Sequence, residues 1–194
     1  MTYDSINEGY CYQSALKRIK RARDLGAITL DLSGYGELTI IPKQLCSLTA
    51  LKELNLGGNY NLKKVRKELA QLTNLQVLNL WNCGLNSFPK IILQLPNLRK
   101  LRLSSNRLGK LPKEIAQLSS LRELDLSNSN LRELPEEVGQ LYNLRQLLLE
   151  NNTLTSLPSS LGRIRTLWRL TLDGNPLQDP PPHIVEEGIE AILR

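Results

Sequence analysis

Three consecutive blocks of twenty-three residues decide the fold: LRKLRLSSNRLGKLPKEIAQLSS (98–120), LRELDLSNSNLRELPEEVGQLYN (121–143) and LRQLLLENNTLTSLPSSLGRIRT (144–166). Leucines, a leucine–proline pair and a closing apolar-x-x-leucine recur at nearly the same offsets in each block. One block is too short to bury its own leucines, so neighbouring blocks must cover one another. The repetition therefore predicts a solenoid in which each block is one coil.

The same unit extends in both directions from these blocks. Six units share the pattern LxxLxLxx at their start, usually followed by asparagine, and one irregular unit precedes them. The units open at Ala27, Leu51, Leu75, Leu98, Leu121, Leu144 and Leu167. The sequence thus predicts seven repeats of 23–24 residues over 27–179, an N-terminal capping helix over 1–26 and a C-terminal capping helix over 180–194.

Each unit begins with a short strand. Leucines at positions four and six, such as Leu101 and Leu103, alternate with mostly polar residues at positions three, five and seven, which is the period of a strand with one buried face. Such strands stack at about 4.8 Å into a parallel sheet on the inner, concave curve. Proline near position fifteen, as at Pro112, opens a short helix or turn on the outer, convex curve. The expected fold class is α/β, a curved right-handed solenoid.

The asparagine at position nine is explained by the backbone. The chain leaves the strand there, and its polar groups lose their partners in the sheet, so a buried amide stacked on the next coil can satisfy them. The residues concerned are Asn59, Asn106, Asn152 and Asn175. Cys83 and Ser129 occupy the same position in their repeats, and we interpret them as members of this ladder rather than as nucleophiles.

Both ends of a solenoid need a cover because a terminal coil would otherwise expose its leucines. Apolar residues at helical spacing predict the N-terminal cap, namely Tyr12, Ala15, Leu16, Ile19, Ala22 and Leu25. The C-terminal cap is predicted from Ile184, Val185, Ile189, Ile192 and Leu193. We expect Trp168, near the start of the last repeat, to pack against this second cap.

The residue types argue against catalysis. The single histidine, His183, falls at the start of the C-terminal cap, and no spacing of His, Cys, Asp and Glu predicts a metal site. We expect no enzyme activity, no metal and no cofactor. The net charge of +6 is concentrated between residues 17 and 24, where five cations accompany one carboxylate, so the sequence assigns the basic character to one helix.

The cysteines and the hydropathy pattern indicate a compartment. Cys11, Cys46 and Cys83 are isolated from one another, whereas exported repeat domains of this kind usually carry clustered cysteines in disulfide-linked caps. No stretch approaches the roughly 20 apolar residues that span a bilayer. We therefore expect a cytoplasmic protein, and we expect neither nucleic acid nor a membrane as its main partner.

Outward positions three, five and seven of the strands form the candidate binding surface. The candidate partner-binding residues are Val77, Asn79, Trp81, Lys100, Arg102, Glu123, Asp125, Leu148, Glu150, Arg169, Thr171 and Asp173. Trp81 and Leu148 stand out as large apolar side chains on a mostly polar face. Interface energy concentrates in aromatic and arginine anchors, so Trp81, Arg102 and Asp125 are the expected anchor set.

The repeat ends LPKEIAQLSSL and LPEEVGQLYNL resemble those of leucine-rich repeat proteins of the Ras group, which include animal Ras scaffolds, plant intracellular proteins and bacterial relatives. The flanks ALKRIKRARDLGAITLDLSG (15–34) and NPLQDPPPHIVEEGIEAILR (175–194) are similar to the ends of the repeat domain in Roco proteins. The first two repeats depart from the pattern, with Tyr35 at the asparagine position and Arg66 at the proline position.

The resemblance implies a non-catalytic protein-interaction module, a scaffold or adaptor in intracellular signalling whose partner is a small GTPase or another signalling protein. Two alternatives stay open: the recognition segment of a Roco-type GTPase, and a bacterial effector that binds a host protein. The phosphate-binding pattern GxxxxGK[S/T] is not found in these residues, so no nucleotide site is carried over. The oligomeric state is not predicted.

Overall fold

The computed structural model describes residues 3–36 and 38–193. Seven parallel strands in this part of the chain form one sheet in sequence order. The strands are β1 Thr29–Asp31, β2 Glu53–Asn55, β3 Val77–Asn79, β4 Lys100–Arg102, β5 Glu123–Asp125, β6 Gln146–Leu148 and β7 Arg169–Thr171. Every strand pairs with the next in register, so that Leu101 lies between Leu78 and Leu124. The predicted solenoid fold is confirmed.

A short 3-10 helix follows each of the first six strands. These helices span Lys43–Ser47, Lys67–Gln71, Lys90–Gln94, Lys113–Gln117, Glu136–Gln140 and Ser159–Arg163. The residue before each helix is proline, except for Arg66, and its backbone is extended. At this position Arg66 makes a contact that proline cannot make. Its Nε donates to the carbonyl of Ile41 in the preceding coil at 2.6 Å.

Leucines of the sheet and of the 3-10 helices form one continuous core. Leu78, Leu101 and Leu124 are fully buried, and so are the apolar helix residues Ile92 and Ile115. The core therefore has no internal boundary from the N-terminal helix to the last coil, as expected of a stack in which each coil covers its neighbour.

The predicted asparagine ladder is present. Asn106 Nδ2 donates to the carbonyls of Leu80 and Leu103, and its Oδ1 accepts from the N–H groups of Cys83 and Leu85. Cys83 takes the equivalent position one coil earlier, where its Sγ donates to the carbonyl of Leu56 at 3.2 Å. Burial raises the pKa of the Cys83 thiol to about 12, so this thiol stays protonated and serves as a structural donor.

Helix α1, Tyr3–Asp24, covers the first coil with Ala15, Ile19 and Ala22. Leu25 does not belong to this apolar face, and 71% of it is exposed, so its predicted capping role is wrong. The reason is the helix end. Gly26 adopts φ 59°, its N–H bonds the carbonyl of Arg23, and the next N–H bonds that of Ala22, a C-terminal motif that turns Leu25 outward.

The C-terminal segment forms two short helices instead of one. They are α2, Pro182–Glu186, and α3, Ile189–Ile192, separated at Gly188, whose φ of 96° is incompatible with a continuing helix. Four of the five apolar residues predicted to cover the last coil pack on the core, namely Val185, Ile189, Ile192 and Leu193, whereas Ile184 is not part of this contact. Trp168 does not join them. It is 61% exposed, and its expected contact with this cap is wrong.

Candidate protein-binding face

The strand face is the outward side of the sheet, formed by positions three, five and seven of the seven repeats. The strand register places equivalent positions of successive coils side by side: Val77 lies beside Lys100, Lys100 beside Glu123, and Gln146 beside Arg169. The spacing is that of neighbouring strands, about 4.8 Å. The candidate residues thus form three rows across the molecule.

Glu123 lies beneath the side chains of Lys100 and Arg102. Only 7% of the residue is exposed. Lys100 Nζ lies 3.1 Å from Oε2, and Arg102 Nη2 lies 3.1 Å from Oε1. Glu123 is therefore a nearly buried carboxylate that holds two cations, whose side chains remain half exposed.

The electrostatics of Glu123 follow from this arrangement. Burial raises the pKa of its carboxyl, but the hydrogen bonds from Lys100 and Arg102, with their positive charges, outweigh burial and hold the pKa below its usual range. The carboxylate is ionised at neutral pH. Its charge offsets much of the repulsion between the two cations, which can then lie close together on the face.

Two candidate residues at position five accept hydrogen bonds from backbone N–H groups. The Oδ1 of Asp125 accepts the N–H of Ser127 at 3.1 Å, two residues further on, and Asn79 accepts the N–H of Trp81 at 3.0 Å. The same contact ends β1 and β2. An aspartate or asparagine that bonds the backbone two residues ahead stabilises a turn. The sequence analysis did not predict this role, although the recurrence of Asp or Asn at position five of several repeats was the available signal.

Trp81 spans three coils of the strand face. It is 46% exposed. Its indole Nε1 donates to Ser105 Oγ at 3.2 Å in the following coil, and its ring lies beside Gly58 in the preceding coil. A side chain at Gly58 would occupy the space next to the ring. Trp81 therefore presents a broad apolar surface in an orientation that its neighbours define.

An open depression of about 500 Å³ lies on the strand face, centred on β4, β5 and β6. Its lining residues are Asn79, Trp81, Arg102, Ser104, Glu123, Asp125, Gln146, Leu148 and Arg169. Seven of these nine residues belong to the predicted set. Ser104 and Gln146 were missed because short or neutral side chains gave no signal. Leu148 is half-buried rather than exposed.

Five predicted residues lie outside this depression. Val77 and Lys100 lie beside each other on β3 and β4, and Lys100 forms an ion pair with Glu123. Glu150 accepts a short hydrogen bond from Ser127 Oγ. Burial raises the pKa of Glu150, but the hydrogen bond from Ser127 and further polar contacts outweigh it and keep the pKa below its usual range. Thr171 is half-buried and Asp173 exposed in the last coil.

A larger depression, about 1110 Å³, lies on the side of the solenoid formed by the residues that follow the asparagine ladder. It is lined by equivalent segments of three successive coils, including Leu108, Leu111, Pro112 and Leu134. Cations and carboxylates alternate around it, so it has no single charge character. Its shape follows from the repeat, and its one aromatic lining residue, Phe88, is buried, unlike Trp81 of the strand face.

Two kinds of site are absent from the described residues. Among 3–36 and 38–193, no group of three or more His, Cys, Asp and Glu side chains is placed to hold a metal ion. No helix in the same ranges is long and apolar enough to cross a membrane. The exposed charged and aromatic groups of the strand face are suited to contact with another macromolecule.

Comparison with known proteins agrees with the fold. The family model described as leucine-rich repeat region matches residues 28–129, and a second one, leucine rich repeat, matches residues 119–177. The chain therefore belongs to the leucine-rich repeat family, whose domains are generally protein-interaction modules and usually non-catalytic. No curated protein matches the chain.

Similar solved structures come from bacteria and a plant. A leucine-rich repeat protein of Leptospira interrogans is 38% identical over 77% of this chain and 44% of its own, with a TM-score of 0.62. The ectodomain of the Arabidopsis thaliana receptor kinase GASSHO1/SCHENGEN3, solved in complex with Casparian strip integrity factor 2, is 30% identical over 71% of this chain and 17% of its own, with a TM-score of 0.64.

A third neighbour, internalin C2 of Listeria monocytogenes, shows the likeness of fold alone. It is 23% identical, covers 84% of both chains and has a TM-score of 0.68. The present chain spans less than half the length of the Leptospira protein and less than a fifth of the plant ectodomain.

Proposed function

We propose that this protein is a non-catalytic binding module that holds a protein partner on its strand face, chiefly between β3 and β7. The observation that carries the proposal is the depression in which Trp81, Arg102 and Arg169 converge. Tryptophan and arginine are the residue types that contribute most to protein interfaces. Here they are preformed on a rigid sheet, so binding requires little ordering of the surface.

The dimensions of the strand face suit a protein. Six steps of about 4.8 Å make it roughly 29 Å long. A face of that length, about three side chains wide, is comparable with one side of a modest protein interface. The predicted set from Val77 to Asp173 remains our proposed contact surface, with Glu123 acting through Lys100 and Arg102.

We propose an adaptor or scaffold role in intracellular signalling, with a small GTPase or another signalling protein as the partner, on the Ras-group resemblance. No disulfide bond links the three cysteines of the described residues, which supports a reducing compartment. The Roco-type alternative is distinguished by whether the natural gene continues past Arg194 into a phosphate-binding loop. The second candidate is a bacterial effector that binds a host protein, and the similarity to the Leptospira protein supports the bacterial part of that proposal.

The division into a cap over 1–26, repeats over 27–179 and a second cap over 180–194 is also a proposal. Ala15 and Ile19 support it at one end. At the other end the carbonyl of Leu193 lies against Gly162 of the last 3-10 helix, and the N–H of Leu157 bonds the carbonyl of Asp179, the residue immediately before the cap. Both ends are therefore attached to the solenoid, as covers must be.

The test is affinity capture with the folded chain, identification of bound proteins by mass spectrometry, and measurement of the binding of each by calorimetry. Trp81→Ala and Arg169→Ala should each weaken the partner, at least one by about thirtyfold, which corresponds to about 2 kcal/mol. Lys113→Ala on a 3-10 helix is the control and should leave binding unchanged. The proposal fails if capture depends on Lys113 and not on Trp81 or Arg169.

A further inference from the structure

Three arginines stand side by side on consecutive coils, outside the strand face. Arg99, Arg122 and Arg145 each follow the leucine that opens a repeat. The N–H of Arg122 donates to the carbonyl of Arg99 at 2.7 Å, that of Arg145 to Arg122 at 2.8 Å, and that of Trp168 to Arg145 at 3.1 Å. We call Arg99, Arg122 and Arg145 the arginine row, and its step is that of the sheet, about 4.8 Å.

The positions on either side of the opening leucines contain cations and no acid. We define the flank as the two residues before and the one residue after each of the six leucines that open a repeat. These eighteen positions include Lys52, the arginine row and Arg165, and neither Asp nor Glu occurs among them. The sequence had assigned the basic character of the chain to α1, and the register reveals this second basic surface.

The arginine row is exposed and unpaired. All three residues are exposed, and none forms an ion pair with a side chain of the described ranges. The nearest carboxylate along the sheet, Glu123, is already engaged by Lys100 and Arg102. Like charges on adjacent strands repel, and no ion pair within the described ranges offsets the repulsion in this row. A feature of that kind is explained by something outside the molecule.

Backbone support on the flank comes from other residues. Asn97 Nδ2 donates to the carbonyl of Thr73, and Asn143 Nδ2 donates to that of Ser119. These amides link neighbouring coils next to the arginine row. Because the structural bonds of the flank are made by its asparagines, the guanidinium groups are free to bind.

We propose that the arginine row is a second interaction surface, separate from the strand face, that binds an acidic segment of a protein partner. Guanidinium groups bind carboxylates through two parallel hydrogen bonds, which a lysine cannot reproduce. Side chains three or four residues apart on a helix lie about 5–6 Å apart, close to the 4.8 Å step of the row. An acidic helix laid along the row can therefore place one carboxylate at each arginine.

Two aromatic residues mark the C-terminal end of this surface. Trp168 is 61% exposed and Tyr142 is 60% exposed, on the same flank as Arg145. They provide an apolar contact for the end of the bound segment. Non-specific single-strand nucleic acid binding instead stacks successive bases on aromatics along the whole path. The aromatics here lie at one end, which favours the acidic segment.

The experiment measures fluorescence anisotropy of a labelled sixteen-residue helical peptide that carries glutamates three and four residues apart, with a glutamine version as its control. The triple variant Arg99→Gln, Arg122→Gln, Arg145→Gln should bind at least tenfold more weakly. The triple variant Lys43→Gln, Lys67→Gln, Lys113→Gln loses the same net charge from exposed 3-10 helix residues and should change binding less than twofold. Binding should weaken with added salt.

Two further measurements show whether a loss of peptide binding is caused by unfolding of the variant. The arginine variant should melt no lower than the natural chain, since repulsion is removed. Arg122→Gln alone should weaken the peptide about threefold if the triple variant proves unstable. Trp81→Ala should leave peptide binding unchanged, because Trp81 lies on the strand face and not on the arginine row. The two proposed surfaces can therefore fail or succeed independently.

Several outcomes would overturn the inference. Equal losses in the arginine and lysine triple variants would show a general charge effect only. Equal binding of the glutamine peptide would remove the acidic requirement. A twelve-nucleotide single strand that binds more tightly than the acidic peptide, with the same dependence on the row, would assign the surface to nucleic acid instead.

Discussion

Arg102 reaches diagonally to Glu123 instead of pairing with its direct neighbour across the strands. The register sets Arg102 opposite Asp125 and Lys100 opposite Glu123. Arg102 Nη2 nevertheless lies 3.1 Å from Glu123 Oε1, while Asp125 Oδ2 accepts from Ser104 Oγ at 2.9 Å. The Glu123 carboxylate thus binds two cations, whereas the Asp125 carboxylate bonds the Ser104 hydroxyl and the backbone of the turn.

Glu123→Gln should destabilise the fold by about 1 to 3 kcal/mol at pH 7, because it removes a buried charged acceptor and leaves two cations unscreened. Since the pKa of Glu123 is lowered from its usual 4.5, the stability it provides is present above that value and is lost as pH falls through the folded pKa. Urea unfolding of both proteins from pH 7 to pH 3 measures the effect. A difference that stays constant down to pH 3 contradicts this role.

Asp125→Ala should lower the free energy of unfolding by about 1 to 2 kcal/mol, because it removes acceptors for both Ser127 N–H and Ser104 Oγ. Asp125→Asn keeps an oxygen for the turn and should lose less. Chemical denaturation compares the two variants. If alanine and asparagine are equally harmless, the turn contact has no energetic importance and Asp125 is free for partner binding alone.

Asn152→Ala should be among the most damaging single changes, at about 3 kcal/mol or more, since it leaves several buried backbone groups without partners. Its Oδ1 accepts from Ser129 and Leu131, and its Nδ2 donates to Leu126 and Leu149. Asn143→Ala is the matched control. That exposed amide makes one bond, to Ser119, so thermal melting should fall far less.

Removal of residues 179–194 should lower the melting temperature and promote association. The deletion breaks the contact of Leu157 with Asp179 and uncovers apolar residues of the last coil. Circular dichroism and size-exclusion chromatography report the two effects. Glu187→Ala, an exposed change in the same segment, should behave as the natural chain does. A monomeric truncated protein with an unchanged melting temperature would show that this segment is not a cap.

The repeat made most of the fold predictable. Leu101 and Asn106 follow from period and position alone, because backbone hydrogen bonding and burial impose the same demand in every coil. Leu25 and Trp168 were misplaced because they lie where the repetition ends, and their surroundings depend on how the terminal segments bend.

The candidate site was predictable in outline only. The sequence identified the outward rows and the exposure of Trp81. It did not identify the burial of Glu123, which depends on two longer side chains that cover it from β4, the preceding strand. The arginine row occupies one position of three consecutive repeats. It was missed because the charges were summed along the chain instead of being compared between equivalent positions of the coils.

The unbroken register has a consequence for how this molecule changes size. Each coil offers its neighbour the same leucines and, in most coils, the same ladder contact, so whole coils could be gained or lost with little disturbance to the remaining junctions. Across the sheet, Trp81 and Arg169 are separated by a whole number of strand spacings, and this component of their distance changes only in steps of about 4.8 Å. The solenoid acts as a ruler, and gene-level duplication or deletion of a repeat would change the reach of its binding surfaces without redesigning their chemistry.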